Sequence, residues 1–202
     1  MKKTEWVFRE ILYRAIEKKE FALTQSELSK KLSLSLSILN SAVKRLNSIG
    51  AVKITQRNFK IIDIKKILYF WASVRNLEKD IIFKARIEAP VKEIEKNMPN
   101  VIFTAYTAYK LRFNDVVSDY SEVYVYADAE ELESVKKRIA KLSLSQKNQT
   151  PNFFVIKKDA MLKNYGKIPI SQIFVDLWNL KEWYAKDFVI ALEKRIMEEN
   201  KA

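Results

Sequence analysis

Glu27-Leu28-Ser29-Lys30-Lys31-Leu32-Ser33-Leu34-Ser35-Leu36-Ser37-Ile38-Leu39-Asn40-Ser41-Ala42-Val43-Lys44-Arg45-Leu46-Asn47-Ser48-Ile49-Gly50-Ala51-Val52 is the stretch on which the fold turns. Leu39, Ala42, Val43 and Leu46 recur at helical spacing, Ser35 is placed to cap that helix, and Gly50 supplies a left-handed stop. Upstream, Thr24-Gln25-Ser26-Glu27 has the S/T-x-x-E form of a capping box and opens a preceding helix to about Leu32. The alternation Leu32-Ser33-Leu34-Ser35-Leu36-Ser37 has the period of a strand, but helix signals flank it closely, so a turn with one buried Leu is expected. Working outward, Thr4–Lys19 is an amphipathic helix carrying Val7, Phe8, Ile11, Leu12, Ala15 and Ile16, and Phe21-Ala22-Leu23 is a short extended link. Downstream, Ala51–Ile54, a polar Thr55–Asn58 and Phe59–Ile62 spell a hairpin.

The whole chain has 202 residues, of which 48% are hydrophobic and 31% charged, with no His and no Cys. Disulfides, zinc-thiolate and His-containing metal clusters, cysteine nucleophiles and Ser–His–Asp triads are therefore ruled out. No stretch approaches the length of a membrane span, and Arg9, Glu10 and Arg14 interrupt the N-terminus too early for a signal peptide, so a cytoplasmic protein is expected.

The net charge of +12 is unevenly spread. Residues 1–80 hold 17 Lys+Arg against 8 Asp+Glu, whereas residues 81–202 hold 20 against 17. Within Leu28–Ile62 there are seven basic residues, Lys30, Lys31, Lys44, Arg45, Lys53, Arg57 and Lys60, and no acidic one. Such a stretch suits a surface that meets a polyanion, because each neutralised phosphate releases condensed counterions. Plain solubility of a Lys-rich surface is the alternative.

Helix, helix, turn, helix, hairpin is the winged helix-turn-helix layout, and residues 27–52 resemble that family of transcription regulators without a gap. Leu28, Leu32, Leu34, Leu39, Val43 and Leu46 match its core positions and Ala42 its small packing position. Ser33 departs from the Gly that many members carry. In this motif the second helix of the pair enters the major groove with its N-terminal residues at base edges. Leu36, Ser37, Asn40, Ser41 and Lys44 are the outward positions, joined as DNA-binding candidates by the cap residue Ser35; Ser and Asn exchange hydrogen bonds with base edges. Lys30, Lys31, Lys44 and Arg45 suit phosphates, and Arg57 at the hairpin tip suits the minor groove or its phosphates.

Asp63–Leu77 reads as a helix with Ile64, Ile67, Leu68, Trp71, Val74 and Leu77 on one stripe, packing on the first domain or contacting a second copy. A boundary falls at Asn76–Lys79 with no Pro/Gly/Ser linker, so a continuous helix end is expected to join residues 1–78 to residues 79–202. The second part is α+β, a small sheet covered by helices: strands at Ile81–Glu88, Glu122–Ala127 and Asn152–Lys157, and helices at Pro90–Met98, Phe103–Leu111, Ala129–Leu142, Ser171–Leu180 and Glu182–Glu199. It has no Gly-rich phosphate loop. Asp128, Glu130, Glu131 and Glu133 sit at a helix N-terminus, where carboxylates complement the macrodipole. Tyr106, Tyr109, Tyr120, Tyr124 and Tyr126 are read as core, with stacking on a ligand or on bases as the alternative.

Tyr124-Val125-Tyr126, Phe154-Val155-Ile156, Asp159–Gly166 and Ile170-Ser171-Gln172-Ile173-Phe174-Val175-Asp176-Leu177-Trp178 resemble, in order and spacing, the abortive-infection (AbiE-type, type IV) antitoxin regulators. Gln172, Asp176 and Leu177 stand at that family's Gln-aliphatic-x-x-Asp-Leu positions. The resemblance implies a DNA-binding autorepressor that counters a nucleotidyltransferase toxin. The expectation is therefore a homodimeric regulator on double-stranded DNA, with no catalytic residue, cofactor or metal. The rivals are a carboxylate-metal nuclease or nucleotidyltransferase, for which Asp115, Asp119 and Asp128 are the plausible trio, and a protein–protein adaptor.

Overall fold

The computed structural model describes residues 1–142 and 150–199, and the protein is of mixed α+β type. The chain divides into two compact units. One comprises Met1–Arg75 with Pro169–Val175 and the stretch from Glu193; the other comprises Asn76–Ile168 and Asp176–Leu192. Among the described residues no helix is long and apolar enough to cross a membrane.

In the first unit, α1 (Lys3–Lys18) buries Val7, Phe8, Ile11, Leu12, Ala15 and Ile16, the stripe that its periodicity marks. β1 (Ala22–Leu23) follows, then α2 (Gln25–Leu32), whose N-cap Thr24 hydroxyl accepts from the Glu27 N–H at 3.1 Å. Glu27 itself is drawn to Arg14, its carboxylate 2.9 Å from the guanidinium. Ser33 ends α2 in the left-handed conformation at φ 52°, and the Ser29 hydroxyl closes the turn by donating to the Leu34 carbonyl at 2.6 Å. Leu34 is buried there and Leu36 is not, as a turn rather than a strand demands. α3 (Leu36–Ser48) is capped by Ser35 and turns Leu39, Ala42, Val43 and Leu46 inward.

Gly50, at φ 68°, releases the chain into β2 (Val52–Ile54) and β3 (Phe59–Ile61). The sheet has three strands in the order β1-β3-β2, because Ala22 and Leu23 pair antiparallel with Lys60 and Phe59. An extended link was thus all that local sequence could specify for what is the third strand.

α4 (Ile64–Val74) starts at Asp63, whose carboxylate accepts from the Lys66 N–H, and buries Ile67, Leu68 and Trp71. It does not run on to Leu77. Arg75 leaves the helix at φ −70°, ψ 136°, and Glu78–Asp80 form a 3₁₀ turn, so no continuous helix joins the two parts. Arg75 is drawn inward instead: it is buried, with Nη1 3.6 Å from the equally buried Glu5 carboxylate, which also accepts from Trp71 Nε1 at 3.1 Å.

The second unit is built on a four-stranded sheet of order β4-β7-β6-β5, from β4 (Ile81–Ala85), β5 (Ile102–Thr104), β6 (Val123–Ala127) and β7 (Phe153–Lys157). β6 and β7 are parallel and the outer pairings antiparallel. Parallel neighbours need a crossover, and α7 (Ala129–Ile139) lies within it. Val123, Val125 and Ala127 face a core shared with Ile94 of α5 (Val91–Asn97) and with Val135 and Ile139 of α7. Tyr124 and Tyr126 point to the other face, where Tyr106 and Tyr109 of α6 (Ala105–Phe113) and Phe188 of α9 (Ala185–Glu199) pack against one another. Both faces are covered, so every residue of β6 is buried. The helix expected over Phe103–Leu111 starts later: Ile102–Thr104 pair with Tyr126–Tyr124 as a strand, a non-local ladder that helical propensity at Phe103 does not anticipate.

Candidate nucleic-acid interface

The first unit carries the charged surface. On α3 the four inward residues leave Leu36, Ser37, Asn40, Ser41 and Lys44 on the solvent side, all exposed, with Ser35 exposed at the cap. Leu36 is 56% exposed at the helix N-terminus, an apolar side chain in water beside three hydroxyls and one carboxamide. Lys30, Lys31, Arg45 and Arg57 are exposed as well. Every residue that the periodicity assigned to this surface is therefore accessible.

Their charges are not equivalent. Lys31 lies 3.5 Å from the buried Glu10 carboxylate, which also receives Arg14 at 2.9 Å, so part of its charge is already answered within the fold. Lys30, Lys44, Arg45, Lys53, Arg57 and Lys60 form no ion pair with any described residue. Lys53 and Lys60 stand directly opposite each other across the β2–β3 ladder, both exposed. Like charges in that position repel, typically by a few tenths of a kcal/mol to about 1 kcal/mol. An anion placed on this face of the hairpin would relieve that repulsion. The sequence counted these two lysines among the acid-free stretch, but only the strand register reveals that they are neighbours.

The hairpin is tied to α3. Asn47 Oδ1, in the last turn of α3, accepts from the Ile54 N–H at 3.3 Å, and the Ala51 carbonyl accepts from the Ile62 and Asp63 N–H groups. The Thr55 hydroxyl closes the tip by donating to the Asn58 carbonyl at 2.8 Å. Arg57 is presented on this short, hydrogen-bonded turn. Helix and hairpin are thus held as one surface with fixed spacing.

The second unit offers a different picture. Asp128 and Glu131 form a reciprocal capping box at the start of α7, and Lys158 bridges both carboxylates. The Glu131 N–H, followed by the Lys158 ammonium, holds the Asp128 carboxyl below its ordinary value. These acids are structural. Among the described residues no three carboxylates are grouped to hold a metal ion, and Asp115 and Asp119 lie in the turn region after α6, so the trio that a carboxylate-metal enzyme would need is not assembled.

Tyr106, Tyr109, Tyr124 and Tyr126 are buried, as the core reading has it. Tyr106 stacks on the half-buried Tyr120 at 5.2 Å, and Tyr124 stacks on its cross-strand partner Phe154 at 4.6 Å. Burial, with Glu182 next in importance, pushes the Tyr106 and Tyr124 phenols up. Gln172 and Asp176 of α8 (Ile170–Trp178) are fully buried acceptors. Gln172 receives Arg9 Nη1 at 3.2 Å, and Asp176 receives both the Thr104 and Tyr126 hydroxyls at 2.7 Å. Their spacing therefore serves packing of polar groups that would otherwise be buried without partners.

No protein-family model, curated protein or solved structure matches the chain.

Proposed function

We propose that the protein is a cytoplasmic, sequence-specific DNA-binding transcription regulator whose first unit is a winged helix-turn-helix. α3 enters the major groove, and the β2–β3 hairpin lies along the adjacent backbone. Ser37, Asn40 and Ser41 address base edges, Asn40 with the geometry that suits adenine, and Leu36 meets a thymine methyl. Lys30, Lys44, Arg45 and Arg57 neutralise phosphates, with Lys53 and Lys60 added from the hairpin. The observation that carries this reading is a hydrogen-bonded helix-and-hairpin surface bearing six exposed cations without a counter-ion among the described residues.

Regulators of this type read two half-sites through a twofold axis, so the active form is a homodimer, with half-sites separated by about one helical turn of 10–10.5 bp or a multiple of it. The AbiE-like pattern over residues 124–178 extends the proposal to autorepression and to an antitoxin role against a nucleotidyltransferase toxin. The protein then acts by binding, and no residue of either unit is assigned a catalytic role.

Footprinting on the duplex upstream of its own reading frame tests the site, its symmetry and its spacing together. Absence of any gel-shift with that duplex, even at low salt, sinks autorepression. The antitoxin role requires that co-expression relieve the growth arrest caused by the cognate nucleotidyltransferase, and that the pair with a toxin-inactive variant show no growth difference.

A further inference from the structure

In the second unit, the segment that follows β4 is locked by one side chain. Asn152 Oδ1 accepts from the Ile87 N–H at 2.8 Å, and its amide donates back to the Ile87 carbonyl at 3.0 Å, so one carboxamide engages both backbone polar groups of Ile87. Ile87 is buried in the apolar core. On extended backbone the adjacent side chain points away from that core. That side chain is Arg86, which lines a concavity of about 620 Å³ together with Glu88, Pro90, Tyr120 and Ser121.

Arg86 is only partly exposed, and its Nε is shielded from solvent without a hydrogen-bond partner. Its guanidinium makes no ion pair with a described residue. Glu88 lines the same concavity, exposed and without an ion pair to Arg86, and the carboxylates bonded to Tyr120 and Ser121 are committed elsewhere. Glu95 is held by the Tyr120 hydroxyl at 2.8 Å, by the Thr107 hydroxyl at 2.9 Å and by Lys110, while Glu122 accepts from Ser121 and Tyr184. A half-buried guanidinium with an orphaned donor, on a backbone fixed by a buried Asn, is a preorganised fork without its acceptor.

We propose that this concavity is an oxyanion-binding site anchored by Arg86, taking the carboxylate or phosphate group of a small ligand. The site is independent of the DNA-binding reading, since it uses no residue of the first unit. A planar guanidinium binds either group through two parallel N–H donors, which a lysine ammonium does not reproduce.

The test uses the full ¹⁵N-labelled chain, with the Arg86 Nε–Hε resonance identified by its loss in Arg86→Lys. Sodium phosphate and sodium acetate are titrated separately at constant ionic strength. The expected result is a saturable shift of the Arg86 Nε–Hε, Ile87 and Ser121 signals, with affinity roughly 10-fold weaker in Arg86→Lys as judged from Ile87 and Ser121. A larger response to phosphate identifies a phosphorylated ligand, and a larger response to acetate a carboxylate ligand; either upholds the site. Non-saturable drift matching a sodium chloride control overturns it. So do Ile87 and Ser121 shifts that persist unchanged in a folded Arg86→Ala variant, and signals of α3 report separately on anion binding at the nucleic-acid face.

Discussion

On the proposed DNA-binding reading, reversing two charges on the α3-and-hairpin surface, Lys44→Glu with Arg57→Glu, weakens duplex affinity by an amount that follows from the exposed cations. Six exposed cations, Lys30, Lys44, Arg45, Lys53, Arg57 and Lys60, have no counter-ion among the described residues. Each phosphate that one of them neutralises adds about 0.9 to the slope of log affinity against log salt, so full engagement gives a slope of about −5 per protomer. Between about 50 and about 200 mM salt, a fourfold change, affinity then falls roughly 10³-fold. Losing two contacts flattens the slope by about 2 and, near 0.1 M salt, weakens binding by about 100-fold before the added repulsion is counted. Both positions are exposed and outside the core, so the variant keeps the helical circular dichroism of the parent. Fluorescence anisotropy with a labelled operator duplex, repeated over a salt series, measures affinity and slope together. Asn40→Ala provides the internal contrast: its slope stays at the parental value, while discrimination against a mutated operator drops by about 1–3 kcal/mol. A parental slope near zero, or a double variant whose slope equals the parent's, refutes phosphate engagement by this surface.

Other consequences concern the fold that holds the surface. Ser33 pays a left-handed penalty at φ 52°, so Ser33→Gly raises stability in urea denaturation by up to about 1 kcal/mol after the greater freedom of the unfolded chain is subtracted, whereas Gly50→Ala, at φ 68°, lowers it by about 1 kcal/mol. Asp176→Ala strands two buried hydroxyls, Thr104 and Tyr126, and costs about 3–5 kcal/mol; restoring much of that loss in the Asp176→Ala, Thr104→Val, Tyr126→Phe triple variant is the matching result. Burial, followed by the hydrogen bonds to Glu193 and Glu122, pushes the Tyr69 and Tyr184 phenols up to about 12 from an ordinary 10.0. The folded state therefore keeps protons that the unfolded state releases, and the stability they contribute is full below pH 10 and lost as pH rises toward 12. Ultraviolet titration of phenolate should accordingly show tyrosines ionising above the ordinary range in the native protein, and Tyr69→Phe should shift alkaline unfolding.

Much of this architecture is written in local pattern. Helical periodicity alone separates Leu39, Ala42, Val43 and Leu46 from Ser37, Asn40, Ser41 and Lys44, because a 3.6-residue repeat on a helix with one buried side leaves only one way to face. Gly50 and Ser35 mark the ends of that helix by the same local chemistry. The charge asymmetry is likewise a property of composition along the chain, and so is the exclusion of thiol and imidazole chemistry.

What tertiary structure decided are the partnerships that span many residues. Ala22-Leu23 is too short to announce itself as a strand and becomes one only because β3 offers an edge. Ile102–Thr104 exchange helical propensity for a ladder with β6 for the same reason. Arg75 leaves α4 where Glu5, 70 positions earlier in the chain, holds its guanidinium. Lys31 and Lys30 are neighbours with the same formal charge, yet one faces Glu10 and the other faces solvent. Lys53 and Lys60 become a repelling pair only through register, and Arg86 is left without an ion pair among the described residues while Glu95 and Glu122 bond to other partners. Periodicity and capping are enthalpic and steric facts within a few residues, so they are legible in one dimension. Which charge meets which counter-charge depends on loop closure between distant segments, and only the folded chain specifies that.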